Sequence, residues 1–200
     1  MASDSSPRVI NELLAQHQHK LTDTMIREIK NRMVPSKEGI IESHMASNPY
    51  TPEDIVIDLF NMATSVDEEM ATTEAKDELL KKVLENHNLP EEYIVKAYEL
   101  GLADNESIAS NPNTPKKILR DIFLKYQKDP YNRYGSRIRN ALALNPSVQS
   151  NMLREIYKDH NAGDSSDSSF VQNPNTPSDI LKSIYLKSKR WDGNANNAHL

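Results

Sequence analysis

Histidine is the side chain best suited to proton transfer and metal binding near neutral pH, and the chain has six: His17, His19, His44, His87, His160 and His199. None lies in a His-Glu-x-x-His pattern or another spacing that aims two imidazoles at one ion. His17 and His19, two apart, point to different sides of a helix. All six read as surface or helix-end residues. There is no cysteine, which excludes disulfides, thiolate metal sites, iron–sulfur clusters and cysteine nucleophiles. Asp159-His160-Asn161-Ala162-Gly163-Asp164 resembles the start of a calcium loop. Its glycine stands at the fifth place rather than the sixth, however, and Phe170 stands where the bidentate Glu belongs. No glycine-rich phosphate loop and no Gly-x-Ser-x-Gly elbow occurs. The carboxylate pairs Glu68-Glu69 and Glu91-Glu92 fall in a charged run and at an expected helix start. No catalytic residue, metal or cofactor is expected. An enzyme remains a further alternative, with a site assembled across the fold and no short motif.

Charge is the next place to look for chemistry. The net charge is −5, unevenly distributed. Residues 37–104 hold sixteen acidic and five basic side chains, whereas 116–139 hold eight basic and two acidic. The basic stretch (Lys116, Lys117, Arg120, Lys125, Lys128, Arg133, Arg137, Arg139) is interleaved with Phe123, Tyr126, Tyr131 and Tyr134. Cations among aromatics are the footprint of a nucleic-acid contact. Lys116, Lys117, Arg120, Lys125, Arg133, Arg137 and Arg139 are therefore the candidate contacts for an anionic partner. The opposing considerations are the overall acidic balance and the helical core position of Phe123. The acidic half, Glu38–Asp104, offers a surface for a basic protein segment. Trp191, the only tryptophan, is a candidate protein anchor, since Trp is over-represented among interface hot spots; otherwise it seals an end of the fold.

These residues must be held by some framework, and the framework is a repeat. Met45-Ala46-Ser47-Asn48-Pro49-Tyr50-Thr51-Pro52 recurs as Ile108-Ala109-Ser110-Asn111-Pro112-Asn113-Thr114-Pro115 and as Phe170-Val171-Gln172-Asn173-Pro174-Asn175-Thr176-Pro177. Leu142–Val148 keeps the Asn-Pro, and Val83–Pro90 keeps Asn86 and the final proline. Each corner is followed by apolar residues at i, i+1, i+4 and i+5: Ile55, Val56, Leu59, Phe60; Tyr93, Ile94, Ala97, Tyr98; Ile118, Leu119, Ile122, Phe123; Met152, Leu153, Ile156, Tyr157; Ile180, Leu181, Ile184, Tyr185. That spacing predicts one buried helix face with an aromatic at its end. The corner asparagines 48, 86, 111, 145 and 173 give a unit near 25 residues. Thr64–Glu74, Gln127–Tyr134 and Asp159–Ser169 are expected as insertions.

The corner has a local logic. A helix ends before Pro49, Pro112, Pro146 and Pro174. Thr51, Thr114 and Thr176 are expected as N-caps accepting from the amides of the next helix, with Pro52, Pro115 and Pro177 at its first position. Acidic residues then complement the positive helix start in three copies: Glu53 and Asp54, Glu91 and Glu92, and Asp179. Lys116-Lys117 reverses that choice. It costs a few tenths of a kcal/mol in helix-end electrostatics and is the local sign of an external anion.

The phrase Ala-x-Asn-Pro-Asn-Thr-Pro-x-x-Ile-Leu at Ala109–Leu119, with Ala46–Val56 and Val171–Leu181, resembles the leucine-rich repeat variant family. Despite its name this is a helical repeat. Ala143–Leu153 and Leu84–Ile94 are degenerate copies, and the resemblance covers residues 40–188. It implies an α-solenoid similar to armadillo and HEAT arrays, and no activity. Some relatives carry a cysteine-rich iron–sulfur module, which this chain, without cysteine, does not share.

The expected fold is thus all-α, an α-solenoid of about five superhelically stacked units over 41–190. An N-terminal helical cap over 1–40 precedes it, and a disordered tail over 191–200 follows. The cap is read as Pro7–Gln16, with Val9, Ile10, Leu13 and Leu14 inward; Thr22–Met33, with Met25, Ile26, Ile29 and Met33 inward; and a third helix opened by Ser36-x-x-Gly39. The apolar fraction of 37%, below the usual ~45–50%, suits an elongated fold. No window approaches a membrane span, and no signal peptide is recognisable, so a cytoplasmic location and no membrane partner are expected. The expected function is non-catalytic: a protein-binding adaptor or assembly scaffold. Nucleic-acid binding through 116–139 is the alternative.

Overall fold

A computed structural model describes residues 7–17, 20–32, 39–65, 72–128, 135–158 and 167–195. All regular structure among them is helical. Twelve helices run in order: α1 (Pro7–Gln16), α2 (Asp23–Arg32), α3 (Ile40–Ser47), α4 (Glu53–Thr64), α5 (Thr73–Glu85), α6 (Glu91–Glu99), α7 (Asn105–Ser110), α8 (Lys116–Lys128), α9 (Gly135–Leu144), α10 (Ser150–Lys158), α11 (Asp167–Gln172) and α12 (Ser178–Ala195). The chain divides into two compact units, Met1–Thr114 and Pro115–Leu200. Residues 1–40 belong to the first unit, and the division falls inside the third corner.

The helices alternate as first and second members of pairs joined by the repeated corner. In the first unit α1 packs on α3, α3 on α5 and α5 on α7; in the second, α9 packs on α11. If each corner asparagine is numbered 0, one register describes every pair. Residues at −3 and −2 close the first helix (Met45 and Ala46, Val83 and Leu84, Leu142 and Ala143), and all are fully or nearly fully buried. Residues at +8 and +11 form the buried stripe of the second helix (Val56 and Leu59, Ile94 and Ala97, Leu153 and Ile156). Burial of these stripes is the main source of stability, at ~25 cal/mol per Å² of apolar surface.

The corners depart from expectation in one respect. The threonine hydroxyls do not cap the helix ahead. Thr51 Oγ1 donates to Met45 O at 2.6 Å, Thr114 Oγ1 to Ile108 O at 2.5 Å, and Thr176 Oγ1 to Phe170 O at 2.6 Å. Each hydroxyl is a second donor to a carbonyl in the last turn of the helix behind, which also accepts from the amide of the corner asparagine. Helix α4 starts instead from Pro52, whose carbonyl accepts from Ile55 and Val56 and which makes no side-chain cap bond. Pro52 therefore occupies the N-cap rather than the first helical position. The hydroxyl is both donor and acceptor, and the packed corner uses it as a donor because Thr51 and Thr114 point into the interior, 0% and 2% exposed.

Helix α6 ends differently. Gly101 adopts φ +64°, and the amides of Gly101 and Leu102 donate to Tyr98 O and Ala97 O. This paired closure requires a left-handed residue. Helices α1 and α2 were expected as a cap, with Val9 and Met25 facing inward. Leu14, Ile26 and Ile29 are indeed buried, but Val9 is 59% and Met25 39% exposed. The amide of Ile26 donates to Thr22 O as Val56 does to Pro52 O. That correspondence places Ile26 at +8, Ile29 at +11 and Met25 at +7, so α2 follows the register of the later second helices, whereas α1 departs from that of the first helices: Ala15 and Gln16, at −3 and −2, are exposed. At the other end α12 continues through Ala195, past the expected start of the tail at Trp191. Residues 196–200 and the Trp191 side chain lie outside those described.

Candidate interaction surface

The corner asparagines form a hydrogen-bond pattern that recurs from pair to pair. Asn86 Nδ2 donates to Ala46 O (2.7 Å) and Asn48 O (3.1 Å). Asn111 Nδ2 donates to Leu84 O (2.8 Å) and Asn86 O (2.9 Å). Asn173 Nδ2 donates to Ala143 O and Asn145 O, both at 2.8 Å. Each Oδ1 accepts from the amide two residues on, as in Asn88 N to Asn86 Oδ1 at 2.8 Å, a side-chain turn typical of Asn. Three corners carry a second asparagine that repeats the reach from a shallower position: Asn88 to Pro49 O and Thr51 O, Asn113 to His87 O and Leu89 O, and Asn175 to Pro146 O and Val148 O. The side chains that recur along the sequence are thus spent on joining one pair to the next.

Asn48 stands at the start of this series. Its Oδ1 accepts from Tyr50 N at 2.9 Å. Its Nδ2 is buried and has no hydrogen-bond partner among the described residues, and Tyr50, 56% exposed, stands where three later corners carry a second asparagine. Ion pairs add a second link between pairs. Arg27 at +9 pairs with Asp54 at +6 (2.6 Å), Lys30 with Asp58 (3.3 Å), Arg120 at +9 with Glu155 at +10 (2.7 Å), and Arg154 at +9 with Asp179 at +6. Hydrogen bonds from Arg27 and Arg154 hold the Asp54 and Asp179 carboxyls below the usual aspartate range.

Among the described residues of the basic stretch 116–139, the cations differ in exposure and in partners. Lys116 and Lys117 are exposed at the start of α8, with no acidic residue in that turn. Arg120 is paired with Glu155, and Lys125 with Asp121 at 3.3 Å. Arg137 is exposed, whereas Arg139 is buried in α9. Arg133, Tyr131 and Tyr134 lie outside the described residues. Phe123 is fully buried. Tyr126 lies so close to Gly135 that a Cβ there would meet its ring at 2.7 Å, which makes it a packing residue rather than a base-stacking platform. What remains is a local feature of the second unit. Lys116 and Arg120 line a depression of about 330 Å³ with Ser147, Gln149, Asn151, Met152 and Glu155. Lys116 also borders a neighbouring one of about 510 Å³ with Ser150 and Asn175.

In the first unit, Glu53, Asp54, Glu91 and Glu92 are exposed in the first turns of α4 and α6, where they complement the helix dipole. A depression of about 280 Å³ between α5 and the turn after α6 is bordered by Asp77, Lys81 and Asp104. Among the described residues no group of three or more His, Asp or Glu side chains could hold a metal ion, and no helix is long and apolar enough to cross a membrane. The calcium-like stretch 159–164 and His160 fall outside the described residues, as do His19 and His199.

Comparison with known proteins returns no matching family model, no matching curated protein and no matching solved structure.

Proposed function

We propose that this chain is a cytoplasmic α-solenoid of the leucine-rich repeat variant type. In this reading it acts as a non-catalytic protein-binding scaffold, with partners laid along the exposed first turns of its second helices. One contrast supports the reading. The side chains of Asn86, Asn111 and Asn173 are used alike from pair to pair, whereas positions +5 and +6, exposed in each pair, change from Glu53-Asp54 and Glu91-Glu92 to Lys116-Lys117, Ser150-Asn151 and Ser178-Asp179. A constant internal frame carrying a varied external row is how stacked repeats build extended recognition surfaces. The acidic pairs suit a basic segment, and Lys116 with its two depressions suits an acidic one.

Affinity capture with wild-type chain, E91K/E92K and K116E/K117E as baits tests this, with bound proteins identified at low and high salt. The expected outcome is that each charge reversal removes a defined protein set. Retention of every bound protein by both variants overturns the reading. The nucleic-acid alternative predicts binding to a labelled oligonucleotide that weakens steeply with salt and is lost in K116E/K117E. The pairing of Arg120 and Lys125 and the burial of Arg139 count against it.

A further inference from the structure

The pair-to-pair interface inside each unit has a fixed residue code, and its two halves stand uncovered at opposite ends of the described chain. On the side facing the next pair, the code uses the residue at −2, the apolar residue at +8 and the aromatic at +12, joined in α2, α8, α10 and α12 by a cation at +9 where α4 and α6 carry Ile57 and Val95. Phe60 at +12 meets the ring of Tyr93, at +7 of the next pair, edge-on at 5.2 Å. Tyr157 at +12 donates to Ser183 Oγ of the next pair at 3.1 Å. Arg120 at +9 takes Glu155 at +10 of the next pair.

In the last pair these positions are open. Val171 at −2 is 57% exposed where Ala46, Leu84 and Ala143 are 0% exposed. Leu181 at +8 is 38% exposed where Val56, Ile94 and Leu153 are 0% exposed, and Tyr185 at +12 is 56% exposed. Lys182 at +9 is exposed and has no ion-pair partner among the described residues. The first pair shows the converse. Met25 at +7 is 39% exposed where Ile55, Met152 and Ile180 are buried. Glu28 at +10, the position of Glu155, is exposed and likewise unpaired.

We infer that α11–α12 of one copy dock on α1–α2 of a second copy, continuing the pair-to-pair register head to tail. Tyr185 then meets Met25 as Phe60 meets Tyr93, a thioether–aromatic contact. Lys182 meets Glu28 as Arg120 meets Glu155. The corner before α2 has no Asn-Pro, so the interchain step lacks the asparagine bonds of the intrachain ones, and it is weak and reversible. A heterologous contact of this kind does not stop at two copies unless the rotation closes a ring. The surface is the end of the pairs, separate from the first-turn row of the proposed scaffold function. It is therefore tested without any partner.

The experiment is sedimentation velocity of the full chain from about 10 μM to about 1 mM, the range of weak specific association. The average mass is expected to rise with concentration and to pass that of a dimer. K182E and E28K each lower it, and K182E/E28K together restore it. All these side chains are exposed, so circular dichroism of the variants should match wild type. A monomer at every concentration overturns the inference. So does a species that stops at the dimer and ignores E28K, or a double variant that stays as weak as the single ones.

Discussion

Asn111 donates from its side-chain amide to the backbone carbonyl of Asn86 at 2.9 Å, while Asn86 makes the same bond to the carbonyl of Asn48 at 3.1 Å. The corner of Asn86 is thus both the receiver of one asparagine and the donor of another. An amide with two hydrogens is the side-chain group that can bridge two carbonyls while its own oxygen closes a local turn.

Removal of this group is expected to be graded along the chain. In N111A the carbonyls of Leu84 and Asn86 lose their side-chain donors, at a cost of about 2–3 kcal/mol. In N48A the bond from Tyr50 N is lost, whereas Asn48 Nδ2 has no partner among the described residues, and the expected cost is about 1 kcal/mol. Urea unfolding of the two variants measures the difference. Equal losses would show that the inter-pair bonds carry no net stability.

The direction of the threonine bond has its own test. Aspartate is as good an N-cap as threonine but, ionised, cannot donate to Ile108 O. T114D is therefore expected to destabilise by more than T114V, which costs about 1 kcal/mol and introduces no buried charge. A T114D protein as stable as wild type at pH 7 would return Thr114 to the capping role.

Acidification should weaken the pairs Arg27–Asp54 and Arg154–Asp179. Both carboxyls titrate lower in the folded chain than in the unfolded one, held down first by the hydrogen bond from the arginine. Their contribution is complete above the unfolded aspartate value of about 3.9 and is lost as pH falls through the lower folded value. D54N and D179N are each expected to flatten the decline of the urea midpoint below about pH 4. The effect is small, since all four side chains are well exposed. A decline identical to wild type counts against these pairs.

Gly101 offers a conformational test. A Cβ there has no atom within 4 Å, so the only cost is its φ of +64°. G101A is expected to lower stability by about 1 kcal/mol and G101N by less, because Asn tolerates the left-handed region. Thermal melts rank the three proteins, and an unchanged G101A melt shows that the turn relaxes without cost.

The sequence by itself determined the helical class, the corners and the helices that follow them. Those depend on a 3.6-residue period, on proline and on the Asn side-chain turn, all of which act within a few residues. α1 was legible to the residue, and α4, α6, α8, α10 and α12 were legible from their apolar spacing. Tertiary structure decided where the polar atoms of the corner go. The acceptors of Asn86 and Asn111 lie 40 and 27 residues back, and a threonine hydroxyl shows its direction only once a neighbouring carbonyl is buried beside it. The same holds for the basic stretch. Its cations are contiguous in the chain, yet helix geometry turns Arg139 inward and brings Arg120 to Glu155, which leaves Lys116 and Lys117 exposed at the helix start. The kinship of α2 with the later second helices was hidden for a similar reason. It resides in burial and in the ion pairs of Arg27 and Lys30, and neither leaves an Asn-Pro signature in the chain.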